Sequence, residues 1–335
     1  MNRVIQIVIV LLPVALSLGC GRGSGRTGGF PERLTDDQFW HLSASLSEPP
    51  GAFEHSENLV SNEVRYVHLA RALRPRGGAY VGVGPEQNFS YIARLRPAMA
   101  FVIDIREENR NLHLMYKALF ELSTDRAEFL SRLFSRPRPP GAGTSTSVQE
   151  LFASYDAVRP EAALYEATVR LVRERLVGTH RFPLPGTARQ WIEHALRAFY
   201  MDGPNIHYAR SRTNDPPGPS YRVLMTATDI GGQGRSYLAS EEAFTVVKEL
   251  QARNLIVPVV GDFAGPHALR ATGGYIGQHA ETVFGFYASN VEVYLNRQKM
   301  VAFCANLASL PYRRGTRFIG SKRLQSLHAK LKSCP

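Results

Sequence analysis

Cysteine is scarce in this sequence: the 335 residues contain three, which are Cys20, Cys304 and Cys334. Three cysteines are too few for a disulfide scaffold, so the fold must rest on a hydrophobic core. If Cys20 carries a lipid, Cys304 and Cys334 remain as a pair that an oxidising compartment would allow to join. Because Cys304 lies in an apolar run, the sequence favours a buried and inert thiol at that position.

Runs of like charge and spacings typical of metal or catalytic sites are also missing. No block of five like charges occurs, although the formal net charge is +11 and the pI is about 9.8. The basic residues are dispersed, so nucleic acid is not a predicted partner. No internal repeat, metal-ligand cluster, phosphate loop or nucleophile–base pair stands out. The apolar content of 44% and charged content of 21% are typical of a globular protein.

The N-terminus predicts a membrane attachment. Arg3 precedes an apolar run over residues 4–18, which ends in Gly19-Cys20. This run is short for a membrane span and suits a secretory signal. A small residue before cysteine resembles the bacterial lipoprotein cleavage site, so residues 1–20 are predicted to be a lipoprotein signal with Cys20 lipidated. An uncleaved signal anchor is the alternative. Residues 21–33 then read as a flexible tether, and the predicted location is the cell envelope, on the periplasmic or extracellular side.

Residues 79–106 predict the first half of a nucleotide-type α/β site. An apolar run breaks at Gly82 and Gly84, a helical segment follows, and a second apolar run ends near Asp104. The glycines allow the backbone to approach a ligand, and the acid twenty residues after Gly84 can accept hydrogen bonds from ribose hydroxyls. Glu86 and Gln87 occupy the positions at which related patterns carry a third glycine, and both are candidate ligand-binding residues.

The remaining pattern predicts one α/β domain over residues 34–320. Its expected fold is Rossmann-like and doubly wound, with a mostly parallel sheet, N-terminal helices and a helical insertion at about residues 148–201. Residues 321–335 read as a basic tail. Further strands are predicted over residues 221–228, 256–260, 282–287 and 300–305, and Pro258 places the second of these at a sheet edge or a bulge.

Polar residues follow several of the predicted strands. They are the segment 226–229, Asp262, the pair Ser289-Asn290, and Glu292. In an open α/β sheet the ligand crevice lies at the carboxyl ends of the strands. Such a set suits a small molecule with ribose, amino and carboxylate groups, so a small molecule in this crevice is the predicted ligand.

The order of these motifs resembles the class I S-adenosylmethionine-dependent methyltransferases. Residues 81–84 (VGVG) are similar to their first glycine motif, Asp104 to the acid that closes the second strand, and residues 259–262 (VVGD) to the segment that contacts the adenine. Residues 286–291 (FYASNV) resemble the motif beside the substrate. The resemblance implies that Gly82, Gly84, Asp104 and Asp262 hold adenosylmethionine, and that Asn290 or Glu292 orients the nucleophile. Two departures are Tyr80, where the family has an acid, and Glu86, where it has a third glycine.

A closer resemblance, over about residues 35–320, is to uncharacterised bacterial proteins that share the strings GVGPEQNF, MTATD, SYLASEE and VPVVGDFAGP. This resemblance implies the same methyltransferase-like fold, but it does not indicate an activity. Two hypotheses therefore stand beside each other. The protein is a membrane-tethered methyltransferase-like enzyme, or it is an exported, non-catalytic lipoprotein that binds a small molecule or partner. The cellular compartment distinguishes the two hypotheses, because adenosylmethionine is a cytosolic metabolite to which an exported lipoprotein has poor access.

Overall fold

A six-stranded sheet lies at the centre of the computed structural model, which describes residues 28–53, 57–208 and 218–335. The strands are β1 (Ala79–Gly82), β2 (Met99–Asp104), β3 (Ile256–Val260), β4 (Val283–Ser289), β5 (Tyr312–Gly320) and β6 (Leu324–Ser326). Their order is β3-β2-β1-β4-β5-β6, and all neighbours are parallel except the antiparallel β5–β6 pair. The predicted α/β class with a mostly parallel sheet is confirmed.

The three strands at one side of the sheet are buried along their whole length. Every residue of β1, β2 and β3 is buried, which agrees with their continuous apolar sequences. Pro258 of β3 pairs with Val102 of β2, and β3 is the edge strand. A proline has no N–H to donate to a further strand, so an edge accepts it without loss. The edge position predicted for Pro258 is confirmed.

Thirteen α-helices lie in the described ranges. They are α1 (Asp36–Leu46), α2 (Tyr66–Arg71), α3 (Gln87–Leu95), α4 (Glu107–Leu122), α5 (Arg126–Phe134), α6 (Val148–Asp156), α7 (Ala162–Arg173), α8 (Gly186–Asp202), α9 (Tyr221–Thr226), α10 (Glu241–Ala252), α11 (Ala268–Gln278), α12 (Arg297–Ala308) and α13 (Leu327–Lys332). A π-helical turn, Glu174–Thr179, follows α7. Short 3-10 turns occupy Gly203–Asn205 and Val291–Tyr294.

Helices cover both faces of the sheet. Gly285 in β4 leaves room for Leu95 of α3, because a Cβ at this glycine would lie 2.5 Å from the leucine side chain. The next residue, Phe286, packs instead against Phe303 of α12. Successive residues of a strand point to opposite faces, so α3 and α12 lie on opposite sides. Helices α1 and α11 contact each other and the β2–β3 side, while α10 packs on α3 and α4.

A layer of further helices packs on α4. The region predicted as a helical insertion contains α6, α7 and α8, and α4 contacts α5, α7 and α8. An aromatic cluster joins α4 to α3: the Phe89 ring of α3 lies 5.3 Å from the rings of Tyr116 and Phe120, in edge contact with both. Such edge contacts add about 1 kcal/mol each to the free energy gained by burying the rings.

Two of the predicted strands are helical, and both predictions are wrong. Residues 221–226 form α9, where the Ser220 side chain accepts a hydrogen bond from the amide of Val223 and caps the first turn. Residues 300–305 lie inside α12, which the side chain of Asn296 caps in the same way. The pattern of a short apolar run is compatible with either a strand or a helix, and here the capping residue favours the helix. The segment 226–229 is therefore not a strand end.

The C-terminal residues 321–335, predicted as a basic tail, contain β6 and α13. Helix α13 contacts β5, and Cys334 forms a disulfide with Cys304 of α12. The prediction of an inert thiol at Cys304 is wrong. It failed because the partner lies 30 residues away in sequence, and only the return of α13 to the sheet brings it within bonding distance.

Reduction of the Cys304–Cys334 disulfide is expected to destabilise the protein by about 3 kcal/mol, since the bond closes a loop of 30 residues and restricts the unfolded chain. Thermal unfolding with and without a thiol reductant measures this effect. The double variant Cys304→Ala/Cys334→Ser is the control. Its unfolding midpoint should equal that of the reduced wild-type protein and should not change when reductant is added. An unchanged midpoint in the reduced wild-type protein would contradict the expectation.

The N-terminal predictions fall on residues that the structure does not describe. Cys20, the signal segment and most of the tether precede residue 28. Within the three described ranges, no helix is both long enough and apolar enough to cross a bilayer.

Candidate functional site

A cavity of about 200 Å³ lies at the carboxyl ends of the central strands. We call it the strand-end cavity. It is bordered by the residues that follow β1, β2, β3 and β4, by residues 52–53 and 58–62, and by the start of α12. β1 and β4 are neighbours, and the strand order changes direction between them. In open α/β sheets this is the point at which ligands bind.

The glycine turn after β1 is held in shape by one buried asparagine. The Asn88 side-chain amide donates to the carbonyl oxygens of Val83, Gly84 and Pro85 at 3.0, 3.0 and 2.7 Å. Its Oδ1 accepts a hydrogen bond of 2.9 Å from the Tyr80 hydroxyl. A Cβ on Gly82 would lie 2.0 Å from this Oδ1, and Gly84 has a positive φ of 80°. Both glycines are therefore required by geometry, one by close approach and the other by backbone conformation.

A buried histidine braces the same turn from behind. Nε2 of His113 lies 2.9 Å from the carbonyl oxygen of Gly84. A carbonyl only accepts, so Nε2 carries the proton. Burial lowers the pKa of His113 to about 4, and the hydrogen bond to Gly84 opposes this only in part. The imidazole is therefore neutral at physiological pH and acts as a structural donor.

At the end of β2, Asp104 is bound by its own neighbour. The Arg106 guanidinium donates to both carboxylate oxygens at 3.0 Å, and the Arg106 amide donates to Oδ1 at 2.9 Å. Both side chains are at most 6% exposed and both line the strand-end cavity. Burial opposes the charge of Arg106, but Asp104 outweighs it and raises the arginine's pKa above its ordinary value. The carboxylate has one remaining acceptor position, on Oδ2, for a ligand hydroxyl.

After β3, Asp262 lines the cavity beside a second cation. Its Oδ2 lies 3.1 Å from Nζ of Lys299, and its Oδ1 accepts a hydrogen bond from the amide of Ala264. The loop is fixed by Glu48, whose carboxylate accepts from the amides of Asp262, His267 and Ala268. Glu48, which lies about 220 residues before α11 in sequence, thus accepts hydrogen bonds from amides at the N-terminus of this helix.

The two predicted catalytic residues are separated by the structure. Asn290 lines the strand-end cavity, next to Ser289. Glu292 is not among the lining residues, and its carboxylate binds the Lys330 ammonium of α13. Beneath the end of β4, the buried Glu63 accepts hydrogen bonds from the hydroxyls of Ser289 and Tyr287. Burial raises the pKa of Glu63, and these two hydroxyls oppose part of that rise.

Three of the predicted ligand-binding residues lie behind the cavity wall. Gly82 and Gln87 are not among the lining residues, and Gln87 is fully buried with no hydrogen-bond partner for its amide in the described part of the chain. Glu86 is also fully buried, and its carboxylate accepts from the amide of Ser61 at 3.1 Å. Because Ser61 lines the cavity, Glu86 supports the wall from inside. Gly84, Asp104, Asp262 and Asn290 are the predicted residues that the structure brings together.

Sequence reasoning missed Arg106, Asn88, Glu48 and Glu63. The first two had a local signal, since Arg106 lies two residues after Asp104 and Asn88 closes the string GVGPEQN. The other two had none, because Glu48 and Glu63 act 214 or more residues away in sequence. Among the residues that the structure describes, no group of three or more His, Cys, Asp or Glu is arranged to hold a metal ion.

No curated protein matches this sequence. A protein family described as Domain of unknown function (DUF7790) matches residues 58–182 and 186–330. The match includes the glycine turn, Asp104, Asp262 and Asn290, and it spans the sheet from β1 to β6. Since the matched residues make up most of the chain, the protein belongs to this family of unknown function.

Proposed function

We propose that this protein is a Rossmann-like binding protein whose strand-end cavity takes a small, nucleoside-like molecule. The observation that carries the proposal is the position of the cavity. It lies where the strand order reverses, with the glycine turn of β1 on one side and the carboxylate of Asp104 at the end of β2 on the other. Rossmann-like sites place ribose hydroxyls beside such an acid.

The charges of the cavity favour a ligand with little net charge. Among the described residues, four charged side chains line it, and they form two pairs: Asp104 with Arg106, and Asp262 with Lys299. The two opposite charges of each pair neutralise each other, so a strongly ionic ligand would gain little electrostatic attraction in this cavity. A neutral or zwitterionic molecule loses less hydration on entry.

The remaining lining suits a ring with hydroxyl and amide-like edges. Phe53 and Tyr294 meet edge to face at a centroid distance of 5.0 Å, and the guanidinium of Arg106 lies 5.8 Å from the Phe53 ring centre. Aromatic rings of this kind offer apolar faces to a flat base. Polar lining is supplied by Asn58, Ser61, Asn62, Ser289 and Asn290. A nucleoside presents both kinds of surface.

Methyl transfer from adenosylmethionine is the second candidate, and the glycine turn with Asp104 at the end of β2 favours it. Gly84, Asp104 and Asp262 would then hold the cofactor, and Asn290 would position the acceptor. When bound, adenosylmethionine would supply an electrophilic methyl group. The chain's own contribution would be orientation, because both carboxylates that line the cavity are already engaged by cations.

We also propose that the protein is tethered to the cell envelope through Cys20. The pairing of Cys304 with Cys334 supports this location, because structural disulfides are typical of oxidising compartments. Incorporation of labelled fatty acid into the wild-type protein, and its absence from a Cys20→Ser variant, tests the tether. Unlabelled wild-type protein would contradict it.

Calorimetric titration of the full chain in mild detergent tests the ligand. Adenosine, adenosylhomocysteine and adenosylmethionine are compared, and we expect micromolar binding of at least one. Asp104→Asn should weaken this binding about tenfold, because a hydrogen bond to a charged acceptor is replaced by a weaker one and Arg106 loses its partner.

Asp156→Asn is the matched control for this titration. Asp156 pairs with Arg222 on α9, away from the strand-end cavity, so the same chemical change should leave nucleoside binding intact. Absence of heat with all three ligands, from a sample that unfolds cooperatively, would contradict the binding proposal. Formation of adenosylhomocysteine from adenosylmethionine, lost in Asn290→Ala, would favour the methyl-transfer candidate.

A further inference from the structure

A second cavity, of about 730 Å³, lies at the opposite end of α3 from the strand-end cavity. We call it the arginine cavity. Arg94, in the last turn of α3, and Arg96, the residue that ends this helix, line one side. Arg235 and residues 232–234 of the glycine-rich loop 231–234 line another, and the first residues of α6 and α10 close it. The two cavities share no lining residue.

The arginine cavity gathers more positive than negative charge. Arg94, Arg96 and Arg235 all line it, and Arg74 lies close enough to add to their field. Burial lowers the pKa of Arg94, repulsion from Arg235, Arg74 and Arg96 lowers it further, and attraction to Asp229 opposes this only in part. Like charges held together at a partly buried position are unfavourable unless an anion compensates them.

The nearby carboxylates supply only part of that compensation. Asp229 is 4% exposed and is used inside its own loop, where it accepts from the amides of Gly231 and Gln233 and from the guanidinium of Arg235. Burial opposes its charge, but these hydrogen bonds outweigh it and lower the pKa of Asp229 to about 2. The carboxylate is therefore fixed and ionised, with Arg235 as its partner.

The other carboxylate, Glu242, lines the cavity and pairs with Arg96, but its side chain is 76% exposed. Exposed ion pairs of this kind are weak and exchange readily with water and salt. Arg94 donates one hydrogen bond, to the carbonyl oxygen of Leu73 at 3.2 Å. Within the described residues, no carboxylate pairs with it. Arg94 and Arg96 thus retain donors for a further acceptor.

Backbone geometry leaves space beside these donors. The loop carries Gly231, Gly232 and Gly234, and Gly232 has a positive φ of 74°. A Cβ at Gly232 would meet no atom within 4 Å, so this side of the cavity is open. Helices α6 and α10 begin at its border, where Ser147 and Ser240 cap their first turns. Helix N-termini favour negative charge.

From the arginines, the fixed aspartate and the open loop, we infer that the arginine cavity binds a phosphorylated small molecule. Planar guanidinium groups match phosphate oxygens with two parallel hydrogen bonds. The cavity is larger than one phosphate group, so it accommodates the organic part of the ligand as well. This site is independent of the nucleoside-like ligand proposed for the strand-end cavity.

Glucose 6-phosphate and unmodified glucose are the probes that test the inference. Each is titrated into the full chain in mild detergent, in a buffer without phosphate or sulfate. We expect heat and a raised unfolding midpoint with glucose 6-phosphate, and neither with glucose. Arg94→Gln and Arg96→Gln should each weaken binding about tenfold. Arg96 is exposed, so its variant keeps the test valid if Arg94→Gln folds poorly.

Two control variants separate binding in the arginine cavity from a general charge effect and from binding in the strand-end cavity. Arg314→Gln removes the same charge from an exposed position on β5 and should leave binding unchanged. Lys299→Gln alters the strand-end cavity and should also leave it unchanged. Equal weakening in Arg96→Gln and Arg314→Gln would show a general charge effect and overturn the inference. Loss of binding in Lys299→Gln alone, or no binding by the wild-type protein, would overturn it as well.

Discussion

Replacing Asn88 with aspartate is expected to lower the free energy of unfolding by about 4 kcal/mol. The Asn88 amide nitrogen donates to three carbonyl oxygens of the glycine turn. Aspartate would place a carboxylate oxygen against those carbonyls in a fully buried position. The donors are then lost, and a charge without a cation is left in the interior. Urea denaturation at neutral pH measures the change.

Asn62→Asp is the matched control for the turn. Asn62 also lines the strand-end cavity but is exposed, so the same chemical change should cost well under 1 kcal/mol. A variant of Asn88 that folds, such as Asn88→Ala, should still lose nucleoside binding, because the turn then keeps the His113 hydrogen bond to Gly84 but loses the three that Asn88 donates. Equal stability of the Asn88→Asp and Asn62→Asp variants would contradict the role assigned to Asn88.

The sequence predicts the centre of this fold well because its signals there are local. Residues 79–106 contain a buried strand, a glycine turn, a helix and a second strand ending at Asp104, in that order along the chain. Each boundary has a cause within a few residues, such as Gly82 and Gly84 for the turn and Pro97 for the end of the helix. Parallel strands then place Gly84, Asp104, Asp262 and Asn290 at one edge of the sheet, which is why the structure gathers them.

Prediction fails where the deciding contact is distant or ambiguous. The run 221–226 has apolar residues that suit a strand, but Tyr221, Leu224 and Met225 are buried on one side of α9. Glu292 follows a strand end as expected, yet its charge is taken by Lys330 of α13. No local sequence pattern predicts that α13 packs close to Glu292. The state of Cys304 failed for the same reason.

The two cavities differ in how their charges are arranged, and this difference bears on what each can bind. In the strand-end cavity every lining cation of the described chain has a carboxylate within 3.1 Å. In the arginine cavity Arg94 has no such partner among the described residues, and Arg96 has one that is exposed. Helix α3 separates them, with the glycine turn at its start and the arginines at its end. A ligand that bears both a nucleoside and a phosphate would not satisfy both sites at once unless it spanned the length of the helix, about 14 Å.

Glu86→Gln is expected to make the protein more stable than the wild type at high pH. Burial raises the pKa of Glu86 from an ordinary 4.5 to about 8, against the weaker opposing effect of the amides of Ser61 and of Glu86 itself. Between these two values the folded state binds more protons than the unfolded state, so stability falls as the pH rises from about 4.5 to about 8. Each pKa unit corresponds to about 1.4 kcal/mol, so the full loss of stability is on the order of 5 kcal/mol.

The glutamine variant carries a neutral amide at all pH values and should lack this dependence. Urea denaturation at pH 5 and pH 9 measures it: the wild-type protein should lose stability between the two, and Glu86→Gln should lose several kcal/mol less. Glu166→Gln is the control, because Glu166 is exposed on α7 and its replacement should preserve the wild-type difference. A Glu86→Gln variant with the same loss as the wild type would show that the buried carboxyl does not ionise in this range. Because Ser61 joins Glu86 to the cavity wall, ionisation of Glu86 should also loosen that wall, and nucleoside binding by the wild type should weaken above pH 8 while binding by the variant should not.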